Sequence, residues 1–211
     1  MSDAKAGPEG PAFGLQLDDD TALWIVRHGE TEWSVSGRHT GSTDIPLTTG
    51  GEAQARALVP VLEGIHPALV LSSPSARALD TARLAGIQVD ETTPDLAEWD
   101  YGEYEGVTTA EIHETVPDWN VFTHGCPGGE SVAEVGARAD RLLARLLPRL
   151  ADGPVMVFGH GHFSRVLGAR WIGLPTAAGA NLLLGTAAPS LLGAEHGGPA
   201  LAHWNLPNPA A

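Results

Sequence analysis

Three observations predict an α/β protein, a three-layer α/β/α sandwich around a mostly parallel central sheet. Short apolar runs of strand length alternate with longer stretches of helical periodicity. Three runs stop abruptly at polar residues, in Arg27-His28-Gly29, Ser72-Ser73-Pro74 and Gly159-His160-Gly161, as buried strands do at the edge of a sheet. The length, 211 residues, suits one domain with a substantial core.

Residues 1–20 are rich in Gly, Pro, Ala and Asp without periodicity and read as a flexible N-terminal tail. Residues 22–27 (A-L-W-I-V-R) read as the first buried strand. Residues 51–62 carry apolar positions at helical spacing, with Pro60 in the last turns. A second strand is expected over 68–72, then a helix over 74–85 with Pro74 in its first turn, then a short strand over 87–89. The connection 90–129 is long. It holds the unusual segment L-A-E-W-D-Y-G-E-Y-E-G (96–106) and a short helix at 108–115, and loops of this length inside a domain are usually functional or disordered. Residues 131–150 form a long amphipathic helix, with Ser131 as N-cap and Glu134 as its capping-box partner. A strand over 154–158, a helix over 162–172, closing strands at 181–184 and 190–195 and an edge at 201–205 complete the pattern. With no repeat and no clear linker, 21–207 is one domain and 208–211 a C-terminal tail.

The net charge of −14 argues against nucleic acid as a partner, because phosphate-backbone binding wants a basic face. No apolar run approaches the roughly 20 residues of a membrane helix, so no membrane partner is expected. Residues 1–20 carry no basic-then-apolar secretory signal. The single cysteine, Cys126, rules out an intrachain disulfide framework and fits a reducing cytoplasm. A monomer or a homodimer is expected. Lys5 is the one lysine, and every other fixed cation is arginine. An acidic chain repels anions at long range, so any phosphate ligand must be met by a few arginines that focus positive potential locally.

His28 and His160 each follow a strand, and ligands of open α/β sheets bind beyond the carboxyl ends of strands. A third strand feeds Ser72-Ser73-Pro74-Ser75-Ala76-Arg77, which opens a helix and places Arg77 on its first turn; helix N-termini and arginine forks both favour phosphate. Glu98 lies in the aromatic, glycine-rich part of the long connection.

Together and in this order, these segments resemble the histidine phosphatase superfamily, phosphoglycerate-mutase-like in fold, over about residues 23–206. The motifs are Arg27-His28-Gly29-Glu30-Thr31, the Ser-Ser-Pro segment with Arg77, Glu98 followed by Gly102 and Glu105-Gly106, and His160-Gly161. The stretches Ser36-Gly37-Arg38-His39-Thr40-Gly41, Glu98-Trp99-Asp100-Tyr101-Gly102, Gly125-Cys126-Pro127-Gly128-Gly129-Glu130-Ser131 and Gly159-His160-Gly161-His162 are similar to the branch of actinobacterial acid phosphatases and fungal sedoheptulose-bisphosphatases. The resemblance implies a metal-independent phosphomonoesterase with no cofactor, acting on small phosphorylated metabolites. His28 would be the nucleophile that becomes phosphohistidine. Arg27, Arg77 and a protonated His160 would clamp the phosphoryl oxygens, and Glu98 would protonate the leaving alcohol and later activate water. Ser34, Thr40, Gly41, Gly161, Trp99, Tyr101 and His162 are expected on the substrate side. The aromatic residues Trp99, Tyr101 and Trp119 either pack on a sugar or fill a core, with core favoured for Trp119.

Mutases of the superfamily usually have Asn where Ser34 stands, and the chain is shorter between Glu98 and Ser131 than cofactor-dependent mutases, which favours hydrolysis over mutase activity. A metallohydrolase is disfavoured: nine histidines are present, but without a His-Glu-x-x-His motif or a cysteine pair. A non-catalytic phospholigand-binding module is disfavoured because His28, Arg77, Glu98 and His160 are all retained.

The assignment of Glu98 generates a leaving-group prediction. A sugar alkoxide needs a proton as it departs, a step to which general acids contribute about 10²–10⁴-fold, whereas a nitrophenolate does not. Glu98→Gln is therefore expected to lower kcat far more on a sugar phosphate than on para-nitrophenyl phosphate. Equal losses on both would move the acid role elsewhere.

Overall fold

Apolar side chains on both faces of the strand runs decide the architecture. The computed structural model describes residues 17–210. In chain order the elements are β1 (Leu23–Arg27), α1 (Glu32–Ser36), α2 (Thr49–Ala57), α3 (Val59–Leu62), β2 (Leu69–Ser72), α4 (Ala76–Leu84) and β3 (Glu91–Thr92). There follow α5 (Thr109–His113), α6 (Val121–His124), α7 (Val132–Leu146), β4 (Val155–Gly159), α8 (Gly161–Trp171), β5 (Pro189–Glu195) and β6 (Gly198–His203). Strand side chains alternate between faces. Leu23, Ile25, Leu71, Val155 and Val157 pack with Leu142 and Leu143 of α7 and Phe163 and Leu167 of α8. Val26, Val70, Met156 and Phe158 face the other way, onto Leu58, Leu62 and Ala82. Helices therefore cover both faces, as expected of a three-layer sandwich.

The sheet runs β3-β2-β4-β1-β5-β6. The strands β3, β2, β4 and β1 are parallel, while β5 and β6 are antiparallel additions. Register matters more for function than strand count. Arg27 pairs with Gly159 and Ser72 with Phe158, so three strands end side by side. The ladder continues one residue beyond them: His28 N donates to Gly159 O (2.9 Å) and Ser73 N to Phe158 O (2.9 Å). His28, Ser73 and His160 thereby emerge together at one edge.

The capping box of α7 forms as expected, with Ser131 N donating to the Glu134 carboxylate (2.9 Å) and Ser131 Oγ accepting from Glu134 N (3.3 Å). Several boundaries differ. The helix expected over 51–62 breaks at Leu58, because Pro60 lacks an N–H and fits the opening of α3, not the interior of a longer helix. Pro74 precedes the N-cap Ser75 and lies outside α4. Residues 87–89 are not a strand: Ile87 and Val89 pack against the core, and pairing with β2 falls at Glu91–Thr92. The helix expected to reach 150 ends at Leu146 and continues as a 3-10 turn containing Pro148. Residues 181–184 are not a strand either, and follow a 3-10 turn at Thr176–Asn181. The edge strand β6 begins three residues earlier than expected. No helix among the described residues is long and apolar enough to cross a membrane.

Residues 1–16 of the expected N-terminal tail lie outside the described residues. Leu17 packs on the core, and its N–H donates to Gly197 O (3.1 Å). At the other end Asn208, expected in a tail, is buried. Its Nδ2 donates to Gln54 O and Ala187 O, both at 2.9 Å, and Ala187 N donates to His28 O. The C-terminal residues thus tie α2 to the strand end that carries His28. Asn208→Ala would leave two buried carbonyls without a donor, so a loss of about 1–3 kcal/mol is expected in urea denaturation. A change within about 0.5 kcal/mol, the range of ordinary surface substitutions, would show that this tie carries no stability.

Candidate active site

His28 is placed by a turn that only a small residue permits. A side chain on Gly29 would strike the Gly51 carbonyl, and Gly29 N donates to Thr81 Oγ1 of α4 (2.9 Å). The His28 ring is buried, and its Nδ1 lies 2.7 Å from Gly29 O. A carbonyl only accepts, so Nδ1 carries the proton and Nε2 keeps its lone pair. Burial, reinforced by the cations Arg27 and Arg77, holds the pKa of this ring well below the usual histidine range, so the ring is neutral at neutral pH.

Around it lies a cavity of about 210 Å³, with Arg27, Glu98, Tyr101, Gly161 and His162 in its wall. Arg27 Nη1 donates to Leu184 O (2.6 Å), while Nε is buried with no partner among the described residues. Gly161 makes room for this guanidinium, since a Cβ there would lie 3.2 Å from Cζ. An unsatisfied buried donor beside a cavity is ready for an oxygen ligand.

Glu98 sits at the start of α8, whose N-cap, His160, offers no side-chain cap. Its Oε1 accepts from Trp99 N (2.9 Å) and Phe163 N (2.8 Å), and its Oε2 from His162 N (2.9 Å). The carboxylate satisfies N–H groups that the helix leaves open and keeps Oε2 the less engaged oxygen. Glu98 also lines a second cavity of about 250 Å³, shared with Ser42, Asp44, Ser73 and His160.

His160 receives a hydrogen bond from Arg77 Nε at Nδ1 (3.3 Å), so its proton is on Nε2, which donates to Ser73 Oγ (2.7 Å). This corrects the expectation of a protonated ring. Burial first, then Arg77 and the neighbouring His28, push its pKa well below the usual range. The rings of His28 and His160 meet edge-on with centroids 5.3 Å apart. Arg77 does not line the first cavity. It lies buried behind His160, with Nη1 on Thr43 O (2.9 Å) and Nη2 on Thr40 O (3.2 Å) and Gly41 O (3.1 Å). Its charge reaches the site from one layer back. Among the described residues no group of three or more His, Cys, Asp or Glu is placed to hold a metal ion.

The sequence profile of the histidine phosphatase superfamily (branch 1) matches residues 23–207. The chain belongs to this superfamily. An acid phosphatase of Mycobacterium tuberculosis is 51% identical over 178 residues, 83% of this chain and 87% of the relative. Sedoheptulose 1,7-bisphosphatase of Saccharomyces cerevisiae is 36% identical over 186 residues, 71% of this chain and 67% of the relative. The crystal structure of a Mycobacterium tuberculosis open reading frame superimposes with a TM-score of 0.87 at 48% identity, covering 90% of this chain and 99% of that one. The fold is that of the phosphoglycerate-mutase-like histidine phosphatases, and the chain is a hydrolytic phosphatase.

The remaining substrate-side residues of this phosphatase divide. Tyr101 and His162 line the first cavity, with the Tyr101 hydroxyl 2.7 Å from His162 Nδ1. Burial raises the Tyr101 pKa well above its usual value and lowers that of His162 well below its own, so both are neutral. Ser34 and Thr40 line the wall, but the Ser34 hydroxyl donates to Thr31 O (2.8 Å) and that of Thr40 to Arg38 O (3.2 Å). Gly41 lines the second cavity, and its N–H is taken by Glu105. Trp99 is not on the substrate side. It is fully buried, edge-on to Phe122, with its indole N–H on Glu130 O (2.9 Å), because an indole that leaves water needs an acceptor. Trp119 is likewise core, bonded to Gly125 O.

Sequence reasoning did not single out Arg38, His39 and Arg165, which also line the first cavity. Arg165 was findable, because it lies three residues after His162 on α8 and so shares its face. Arg27, Arg38 and Arg165 set three cations against Glu98 in this wall, the local positive focus that an acidic phosphatase requires.

The three neutral rings give a stability prediction. Unfolded histidines titrate near 6.5. Above that pH neither state is protonated; below it the unfolded chain takes up protons that native His28, His160 and His162 refuse, so stability falls with pH. Each fully excluded proton contributes about 1.4 kcal/mol per pH unit, so the three together reach at most about 4. Urea midpoints are expected to drop between pH 7 and pH 5.5; a flat profile would show that these rings titrate normally in the fold.

Proposed function

We propose that the chain is a phosphomonoesterase, an acid or sugar phosphatase working in the cytoplasm on small phosphorylated metabolites through a phosphohistidine on His28. The observation that carries this reading is the fixed tautomer of His28: Nδ1–H on Gly29 O and a lone pair on Nε2 in a cavity that also presents the unpartnered Nε of Arg27. A neutral imidazole held this way needs no proton removed before it attacks.

The chemistry balances in two steps. His28 Nε2 bonds to phosphorus as the ester P–O bond breaks, and Glu98 Oε2 gives the departing oxygen a proton. Water then attacks the phosphoryl group, Glu98 takes the proton back, and the P–N bond breaks to release inorganic phosphate and neutral His28. The Nδ1–H stays on Gly29 O throughout and carries the ring's positive charge while Nε2 is phosphorylated. Charge on the equatorial oxygens is met by Arg27 Nε, by His160, and by Arg77 behind it. The names of the relatives support a phosphorylated sugar or other small ester as substrate.

Rapid-quench labelling tests the reading. Phosphorus-labelled substrate is expected to leave an alkali-stable, acid-labile label that localises to His28, and His28→Ala should abolish both label and turnover. Normal turnover by His28→Ala would end the proposal.

A further inference from the structure

Arg77 owes its aim to a loop, and the loop owes its shape to one carboxylate outside the set of expected catalytic residues. The carbonyls of Thr40, Gly41 and Thr43 grip the two terminal nitrogens of Arg77, which leaves Nε directed at His160. The Thr40 carbonyl and the Gly41 N–H share one peptide plane and point to opposite sides, so the loop's N–H groups on the side away from Arg77 need partners of their own. Glu105 satisfies them. Gly41 N donates to Oε1 (3.0 Å) and Oε2 (2.9 Å), and Thr43 N donates to Oε1 (3.0 Å). Gly41 leaves the room this needs, since a Cβ there would lie 2.7 Å from Glu105 Oε2. The adjoining backbone continues the contact, with Gly106 N on His39 O (2.8 Å) and His39 N on Val107 O (3.0 Å).

We propose that Glu105 is a positioning residue for phosphoryl transfer, which holds the 40–43 loop so that Arg77 faces His160. The proposal rests on reading His28, His160 and Arg77 as the phosphoryl-transfer site. It assigns Glu105 no proton to give or take, although it is one of the carboxylates close to Glu98 in sequence. It also accounts for Gly41: the N–H that a substrate oxygen would use is occupied by the chain's own carboxylate.

Substitutions at 105 separate reach from charge. Oε1 accepts from both Gly41 and Thr43, so Glu105→Gln keeps the reach and these two bonds while it loses the charge and the Oε2 bond to Gly41 N, whereas Glu105→Asp keeps the charge and loses the reach to both. The assay is kcat/KM on para-nitrophenyl phosphate, which needs no help in leaving, alongside inhibition by inorganic phosphate. Glu105→Ala is expected to lose about 10- to 100-fold in kcat/KM, the scale on which a misplacement of about 1 Å acts. Inorganic phosphate should inhibit it more weakly. Glu105→Gln should retain more activity than Glu105→Asp. In an Arg77→Ala background, Glu105→Ala should cost nothing further, because the group it positions is gone. If Glu105→Ala does not fold, the order of the Gln and Asp variants still decides. Asp above Gln, or an equal loss with and without Arg77, would overturn the proposal. Failure to find a phosphohistidine would instead remove the reading of His28 while leaving this order intact.

Discussion

The buried guanidinium of Arg77 is the interaction on which the rest of the site depends. With 1% of its surface exposed, it can persist only if its donors find acceptors inside the protein. Three loop carbonyls and the Nδ1 of His160 supply them. That requirement fixes the loop after α1, the tautomer of His160, and through His160 the hydroxyl of Ser73. It also places a permanent positive charge close enough to lower the pKa of both histidines.

Those lowered values set function against stability. A neutral imidazole can attack without prior deprotonation, which is the role proposed for His28, and burial beside arginines provides that neutrality. The same environment refuses protons that the unfolded chain accepts, so the site destabilises the fold as the medium becomes acidic. Burial is the larger cause of the lowered values and the arginines add to it, so a phosphoryl dianion in the cavity would offset only the arginines' share. A phosphate bound there would stabilise the folded chain by mass action.

Glu98 shows a second economy. The start of α8 needs acceptors for its first N–H groups, and the N-cap His160 gives none from its side chain because that side chain is committed to the site. The Glu98 carboxylate reaches in from the long connection and fills the role. One contact thus anchors the connection to the helix and orients the oxygen proposed to exchange a proton with the leaving group. The connection 90–129 is built around such ties. Glu105 holds the 40–43 loop, Glu130 receives Arg138 and the indole of Trp99, and Gly102 adopts φ of +51° to bring its backbone against Pro127 and Gly129.

Much of this was legible in the chain before any coordinates. The apolar period of the strands marked the sandwich, and the polar residues where those runs stop marked the edge where His28, Arg77 and His160 gather. Capping chemistry marked the start of α7 at Ser131. These are local signals, in which each residue reports its own surroundings. What local signals could not decide was register and partnership. Residues 87–89 look like a strand because Ile87 and Val89 are β-branched and alternate with the polar Gln88, yet pairing falls two residues later, where the backbone of β3 meets β2. Trp99 and Tyr101 are both aromatic, buried and two residues apart; the fold turns one into the core and the other to the cavity. Asn208 reads as a tail residue until Gln54 and Ala187 arrive beside it. The sequence by itself determined the residue types and the strand ends that carry the chemistry. Only the tertiary structure decided which nitrogen of His28 and of His160 bears the proton, that Arg77 lies behind His160, and that Arg38, His39 and Arg165 join the wall, because each of these depends on acceptors and charges brought from segments distant in the chain.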